Sequence, residues 1–233
     1  SEDPFRDFNI LTEHFMPFVA ATSSVAKSAL IGEGTKIQPN TFIGNNVVIG
    51  KDCMIHSNVS IYDNTVIGDY VTIHAGAILG GDAFYYKKRP DGFDKLKSGG
   101  RVVIANHVDI GAGTTIDKGV TGDTTIGVGS KLDNQVHIGH DTVIGKMVLI
   151  AAQTTVAGCV VIEDEVTLWG QVGVTSGISI GEKAIVSAQS GVSKSLPGHK
   201  SYFGSPAGEF RVKYKELAAL RQVQELLEKL KQK

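Results

Sequence analysis

The densest polar stretch of the chain is Asp133-Asn134-Gln135-Val136-His137-Ile138-Gly139-His140-Asp141, set among small and aliphatic residues. A neutral imidazole can take a proton from an attacking amine or hydroxyl, and it titrates near neutrality. His140 is therefore a candidate general base, with His137 beside it. With Ile138 turned inward, both histidines are expected to face outward. Asp141 adjoins His140, but successive strand residues alternate between faces, so the two side chains are expected to point apart. The residues alone leave open whether this cluster is catalytic or a polar rim. As metal ligands His137 and His140 lack a third partner at compatible spacing, and Cys53 and Cys159 are remote in the chain, so no metal is expected. His56, His74, His107 and His199 stand singly and read as solvated or hydrogen-bonded side chains. No nucleophile elbow, P-loop or dinucleotide fingerprint is present in the sequence.

The element that must position the cluster is a repeat. An aliphatic residue returns every six positions from Val25 through Ile31, Ile37, Ile43, Ile49, Ile55, Ile61, Ile67 and Ile73 to Leu79. The register resumes at Ile104, Ile110 and Ile116, and runs again from Ile126 to Val192. Glycine often follows the aliphatic residue, as in Ile138-Gly139 and Ile144-Gly145, where tight corners need its conformational freedom. A period of six fits no helix face. It fits short strands, one on each side of a three-sided prism, so that each coil takes 18 residues and buries its interior against the coils above and below. The residue one coil beyond His140 is Gly158. Its N–H, unshielded by a side chain, could receive the oxyanion of an acyl transfer; a plain corner glycine is the equal alternative.

Two insertions interrupt the prism. The longer, residues 80–103, carries Phe84, Tyr85, Tyr86, Lys87, Lys88 and Arg89, either to contact a substrate or to pack its aromatics on the prism. The shorter, Gly119 to Thr125, reads as a bulged corner. The organisation is then an N-terminal segment 1–20, a β-helix domain 21–207, and a helix 208–233, whose apolar residues Phe210, Tyr214, Leu217, Leu220, Val223, Leu227 and Leu230 recur three or four apart. That stripe is expected to pack on the prism or on sister helices. The chain has 233 residues, two cysteines, a formal charge of -1 and a pI near 6.6, so no global field draws nucleic acid or an anionic bilayer. Neither a disulfide framework nor a membrane span is expected. Both cysteines read as small buried side chains, and the location as cytoplasmic. Opening at Ser1, the chain reads as a piece of something longer.

Several elements resemble the UDP-3-O-acylglucosamine N-acyltransferases of lipid A biosynthesis, within the hexapeptide-repeat acyltransferase superfamily. They are Gly100-Arg101-Val102-Val103-Ile104, Thr114-Thr115-Ile116-Asp117-Lys118-Gly119, Lys131-Leu132-Asp133-Asn134-Gln135-Val136, Gln189-Ser190-Gly191-Val192 and Gly204-Ser205-Pro206-Ala207. The resemblance implies an all-β, left-handed parallel β-helix with a C-terminal α-helix; the hand comes from the resemblance, since the crossover rule alone would favour the other. It implies a homotrimer with active sites between subunits, an acyl carrier protein thioester as donor, a UDP-sugar as acceptor, and no cofactor. Carried onto this sequence, the catalytic base falls on His140, the oxyanion donor on Gly158 and a nearby asparagine on Asn134. His137, Phe84 and Tyr85 are then expected to contact substrate. Gly177 stands where members often have a second histidine, and only Asp3 to Phe15 resembles the segment that follows their uridine-binding domain. The string His137-Ile138-Gly139-His140-Asp141 also resembles the UDP-N-acetylglucosamine O-acyltransferases. A sugar O-acyltransferase, an acetyl-CoA-dependent sugar acetyltransferase and a non-catalytic hexapeptide scaffold are the alternatives.

Overall fold

A computed structural model describes residues 2–231; Ser1, Gln232 and Lys233, which the segment boundaries above include, lie outside the described residues. Parallel strands, most of them two residues long, stack into three sheets of eight, ten and eight strands and make a left-handed β-helix. The one-coil offset sets the register: His137 pairs with Thr155 and Ile138 with Val156. Each insertion stretches one offset and leaves the stacking intact, so Thr115 pairs with His137 and Val66 with Val103. The inward column Ile43, Ile61, Leu79, Ile116, Ile138 and Val156 is fully buried. Each such side chain contributes about 1.5–3 kcal/mol, which is why the six-residue period is held so strictly.

Corners make the prism possible. At most of them one residue adopts a left-handed backbone, including non-glycines such as Asp141, Met147, Gln153 and Cys159 at φ 54, 54, 59 and 60°. That conformation costs about 1–2 kcal/mol for most L-residues. It is offset because it aims the corner N–H at the coil below: Met147 donates to the Val128 carbonyl and Cys159 to that of His140.

The face that carries Thr115–Asp117, His137–Ile138 and Thr155–Val156 is here called the histidine face. Both insertions leave the prism at the edge where the chain departs this face. The longer contains a hairpin of Tyr86–Arg89 with Gly92–Lys95. It is clasped by α1 (Pro4–Phe15), a helix within the N-terminal segment for which the sequence reading assigned no element. Asp3 pairs with Arg89 at 2.6 Å and Arg6 with Asp94 at 2.9 Å, while Asn9 bonds the backbone of Lys95 and Lys97. Among the described residues, the C-terminal helix α2 (Phe210–Lys231) meets the prism near its start, where Phe210 lies 6.1 Å from Phe203. Leu217, Leu220, Val223, Leu227 and Leu230 remain exposed, so the apolar stripe does not pack on its own prism. No helix among the described residues is long and apolar enough to cross a membrane.

Candidate active site

The strand His137–Ile138 ends at Ile138, and the chain turns a corner through Gly139, His140 and Asp141. Because Asp141 is left-handed rather than extended, its side chain swings to the same side as that of His140, and His140 Nδ1 lies 2.8 Å from Asp141 Oδ2. The expectation that strand alternation separates the two is thus corrected: alternation holds only along a strand. The same carboxylate accepts the N–H groups of Val120 (2.9 Å), Thr121 (3.2 Å) and Gly122 (3.0 Å). Burial opposes ionisation of Asp141, but these amides and the imidazole together outweigh it and hold the carboxyl below its usual range. An ionised carboxylate accepts only, so Nδ1 carries the proton and Nε2 keeps its lone pair. The 119–125 insertion is therefore more than a bulged corner, since it orients the candidate base.

The Nε2 edge of His140 packs over Gly158. A Cβ on Gly158 would sit 2.5 Å from Nε2, closer than any side chain tolerates. Among the described residues, the Gly158 N–H is also uncapped, as are those of His140 and Ser176 in the same column. At Asn45, Lys51 and Lys146, which follow the strand-end glycine of other corners, the N–H is capped by an aspartate one coil on: Asp63, Asp69 and Asp164, at 2.7, 2.9 and 2.8 Å. One coil beyond Gly158 stands Ser176, and the Gly158 N–H bonds no described residue. A free donor beside a correctly tautomerised base is what an acyl-transfer oxyanion requires.

A cleft of about 660 Å³ opens here, lined among others by Phe84, Tyr85, Asp117, His137, His140 and Gly158. Tyr85 meets His140 edge to face, with ring centroids 5.6 Å apart, and Phe5 of α1 backs Tyr85 at 6.4 Å. Phe84 is 86% exposed at the mouth. His137 bonds Thr115 Oγ1 at 2.8 Å and approaches Asp117 at 3.8 Å. Burial raises the Asp117 carboxyl above the usual carboxylate range, against the pull of His137 and His140.

Of the residues singled out from the sequence, His140, His137, Gly158, Phe84 and Tyr85 converge on this cleft. Asn134 does not. It lies at the edge by which the chain enters the histidine face, exposed, with its side-chain oxygen accepting the Ala112 N–H at 2.7 Å. Three contributors escaped the sequence reading. Asp141 was misjudged by strand alternation. Asp117 carries no role in that reading, although its place one coil below Gly139, two residues along from the Thr115 that pairs with His137, follows from the offset. Cys159, expected to be buried and remote, is exposed beside the base, and His140, Asp141 and Cys159 bring ligand-type atoms within 4.8 Å of one another. Burial, and then the charge of Asp141, raises the Cys159 thiol. Since both Asp141 oxygens and His140 Nδ1 are already hydrogen-bonded, a metal here would have to break the clamp that orients the base. Gly177, at φ 71°, lines the cleft with nothing within 4 Å of a Cβ, so the position of the missing second histidine is open space.

Comparison with known proteins agrees with this architecture. Residues 46–81 match the bacterial transferase hexapeptide (six repeats). Over 153 residues the chain is 40% identical to the UDP-3-O-acylglucosamine N-acyltransferase of Methylobacterium nodulans, a match covering 66% of this chain and 44% of that protein. The chain thus spans under half the length of the curated relatives it matches. Among solved structures, the UDP-N-acetylglucosamine acyltransferase of Francisella novicida is similar at 29% identity and a TM-score of 0.65, covering 79% of this chain and 69% of the other. That of Bacteroides fragilis is similar at 25% identity and a TM-score of 0.74, covering 82% and 73%.

Proposed function

Because this chain is a hexapeptide-repeat β-helix whose curated homologues are UDP-3-O-acylglucosamine N-acyltransferases, we propose that it transfers an acyl chain from the thioester of an acyl carrier protein to the amine of a UDP-3-O-acylglucosamine-type sugar, a cytoplasmic step of lipid A biosynthesis. The observation that carries the reading is the pairing of the Asp141-oriented His140 with the uncapped N–H of Gly158. The sugar nitrogen attacks the thioester carbonyl and forms the C–N bond, while His140 Nε2 takes a proton from that nitrogen. The carbonyl oxygen gains the negative charge and is held by the Gly158 N–H. Collapse breaks the C–S bond, and the imidazolium returns its proton to the departing thiolate. No cofactor enters this scheme; the donor brings its own phosphopantetheine. Tyr85 packs against the imidazole, and Phe84, exposed at the mouth, meets acceptor or acyl arm in this proposal.

The working assembly is a homotrimer in this proposal. A cyclic trimer gives the exposed α2 stripe a partner in its sister helices. It also offers a route by which Asn134, on a different edge of the prism from His140, reaches a cleft shared with a neighbouring protomer.

Mass spectrometry of products from acyl carrier protein thioesters and UDP-amino sugars tests the reading. The wild type should give an N-acylated sugar, and His140→Ala should lower kcat by about a hundredfold to ten-thousandfold with little change in donor affinity. A product acylated on oxygen, or turnover only with acetyl-CoA, would replace the reading. Full kcat in His140→Ala would remove His140 from the base role.

A further inference from the structure

Two carboxylates line or support the cleft, and they differ in what they touch. Both oxygens of Asp141 are saturated by three amides and the imidazole. Asp117, whose side chain is 16% exposed, accepts no hydrogen bond from any described residue; His137 Nε2 lies 3.8 Å from it. Beside it the ladder shifts: Ile116 pairs with Leu79 but Asp117 with Gly81, the extra residue being Gly80 of the neighbouring strand. As the residue after the inward-facing Ile116, Asp117 faces outward and lines the cleft together with His137, His140 and Gly158.

A partly buried carboxylate without donors carries an unmet demand for a cation or a hydrogen bond. The charged groups around Asp117 do not meet it. His137 Nε2 stays 3.8 Å away, beyond hydrogen-bond reach, and Lys95 and Lys118 are both paired with Asp82. A sugar amine, by contrast, arrives in neutral water largely as an ammonium.

Resting on the N-acyl reading above, we propose that Asp117 is the acceptor-amine site: it binds the sugar ammonium, takes its first proton, and so selects an amine over a hydroxyl. The ammonium gives one proton to the Asp117 carboxylate and becomes a neutral amine with a free lone pair. That lone pair forms the C–N bond at the thioester carbonyl, His140 takes a second proton from the same nitrogen, and the thiolate leaves with it. Asp117 then releases its proton to solvent, so the net products are amide, thiol and one proton. A hydroxyl acceptor has no first proton to give and no charge for Asp117 to hold. The raised carboxyl of Asp117 suits a group that must accept a proton from an ammonium, since an ordinary carboxylate is a weaker base.

The test uses the full chain with an acyl carrier protein thioester and two acceptors, the UDP-3-O-acylglucosamine and its analogue with a 2-hydroxyl in place of the amine. Asp117→Asn keeps the shape and removes the charge. For the amine acceptor, kcat/KM should fall about ten- to hundredfold at neutral pH, mostly through KM, because the lost contact is a hydrogen bond to a charged group. The deficit should narrow once the pH exceeds the amine's own pKa, where the acceptor arrives neutral; a purely structural role would give a constant deficit. Calorimetric binding of the amine acceptor without donor should show the same pH-dependent gap, independent of turnover. Equal kcat/KM for Asp117→Asn and wild type on the amine at every pH, or a deficit that does not change with pH, overturns the assignment while the N-acyl reading stands. A wild type that acylates the hydroxyl analogue and ignores the amine overturns both, and the two failures are distinguished by the wild-type lane alone.

Discussion

Two edges of the same prism, built from the same six-residue unit, have been put to opposite uses. At the edge that includes Gly127 and Gly145 to Met147, no insertion intervenes. The Lys146 N–H is capped by Asp164, and a Cβ added to Gly127 would meet backbone of the next coil at 2.3–2.8 Å. At the edge that includes His140 and Gly158, two insertions bud out, the aspartate of the corner points at a histidine, and the Gly158 N–H is left free. A Cβ added there would meet an imidazole and not backbone. The difference shows how a solenoid gains a site. Its stability is a sum of neighbour contacts, so one edge can lengthen its loops and leave the N–H beside its histidine uncapped while the other two hold the register.

Gly158→Ala should have the largest effect. It should cut kcat by about a hundredfold or more, because the new methyl displaces His140 and crowds the oxyanion donor, with a smaller stability loss than Gly127→Ala. A Gly158→Ala variant with normal kcat would erase the distinction between the edges. Asp141→Asn comes next, with a kcat loss of about ten- to a hundredfold, since an amide can donate to Nδ1 and favour the wrong tautomer. It also carries a pH signature. The carboxyl of Asp141 is depressed in the fold, so its stabilisation is present above the ordinary carboxylate range and lost as pH falls; the gap in melting temperature between wild type and Asp141→Asn should shrink in acid. Asp117 has the opposite sign. Its raised carboxyl costs stability as pH rises above the ordinary carboxylate range, so Asp117→Asn should melt at or above wild type at pH 7 and converge with it in acid. Gly127→Ala should lose about 1–3 kcal/mol of stability by forcing backbone apart. Asp164→Ala is the smallest effect: about 1 kcal/mol of stability, read by thermal melting, with kcat unchanged, because the cap it removes lies on the edge without chemistry.

Most of the scaffold was legible in the chain. The period of six predicted the inward column from Val25 to Val192, and the offset of one coil placed Gly158 against His140 before any coordinates. The aromatic insertion was expected over the cleft, and Tyr85 lies on His140. What periodicity could not convey was the direction of corner residues. Asp141 and Cys159 sit where the backbone leaves the strand geometry on which face assignments rest, and each was misplaced for that reason.

The sequence by itself determined the repeat, the coil length, the pairing of His140 with Gly158 and the amphipathic character of the C-terminal helix, because each follows from spacing along a regular path. Tertiary structure alone decided that the amides of Val120, Thr121 and Gly122 close on Asp141, that α1 clasps the hairpin behind Tyr85, and that Asp117 is left in the cleft without a donor. Those arrangements join residues about 20 to 90 positions apart through left-handed corners and insertions of irregular length, whose direction no periodic pattern encodes.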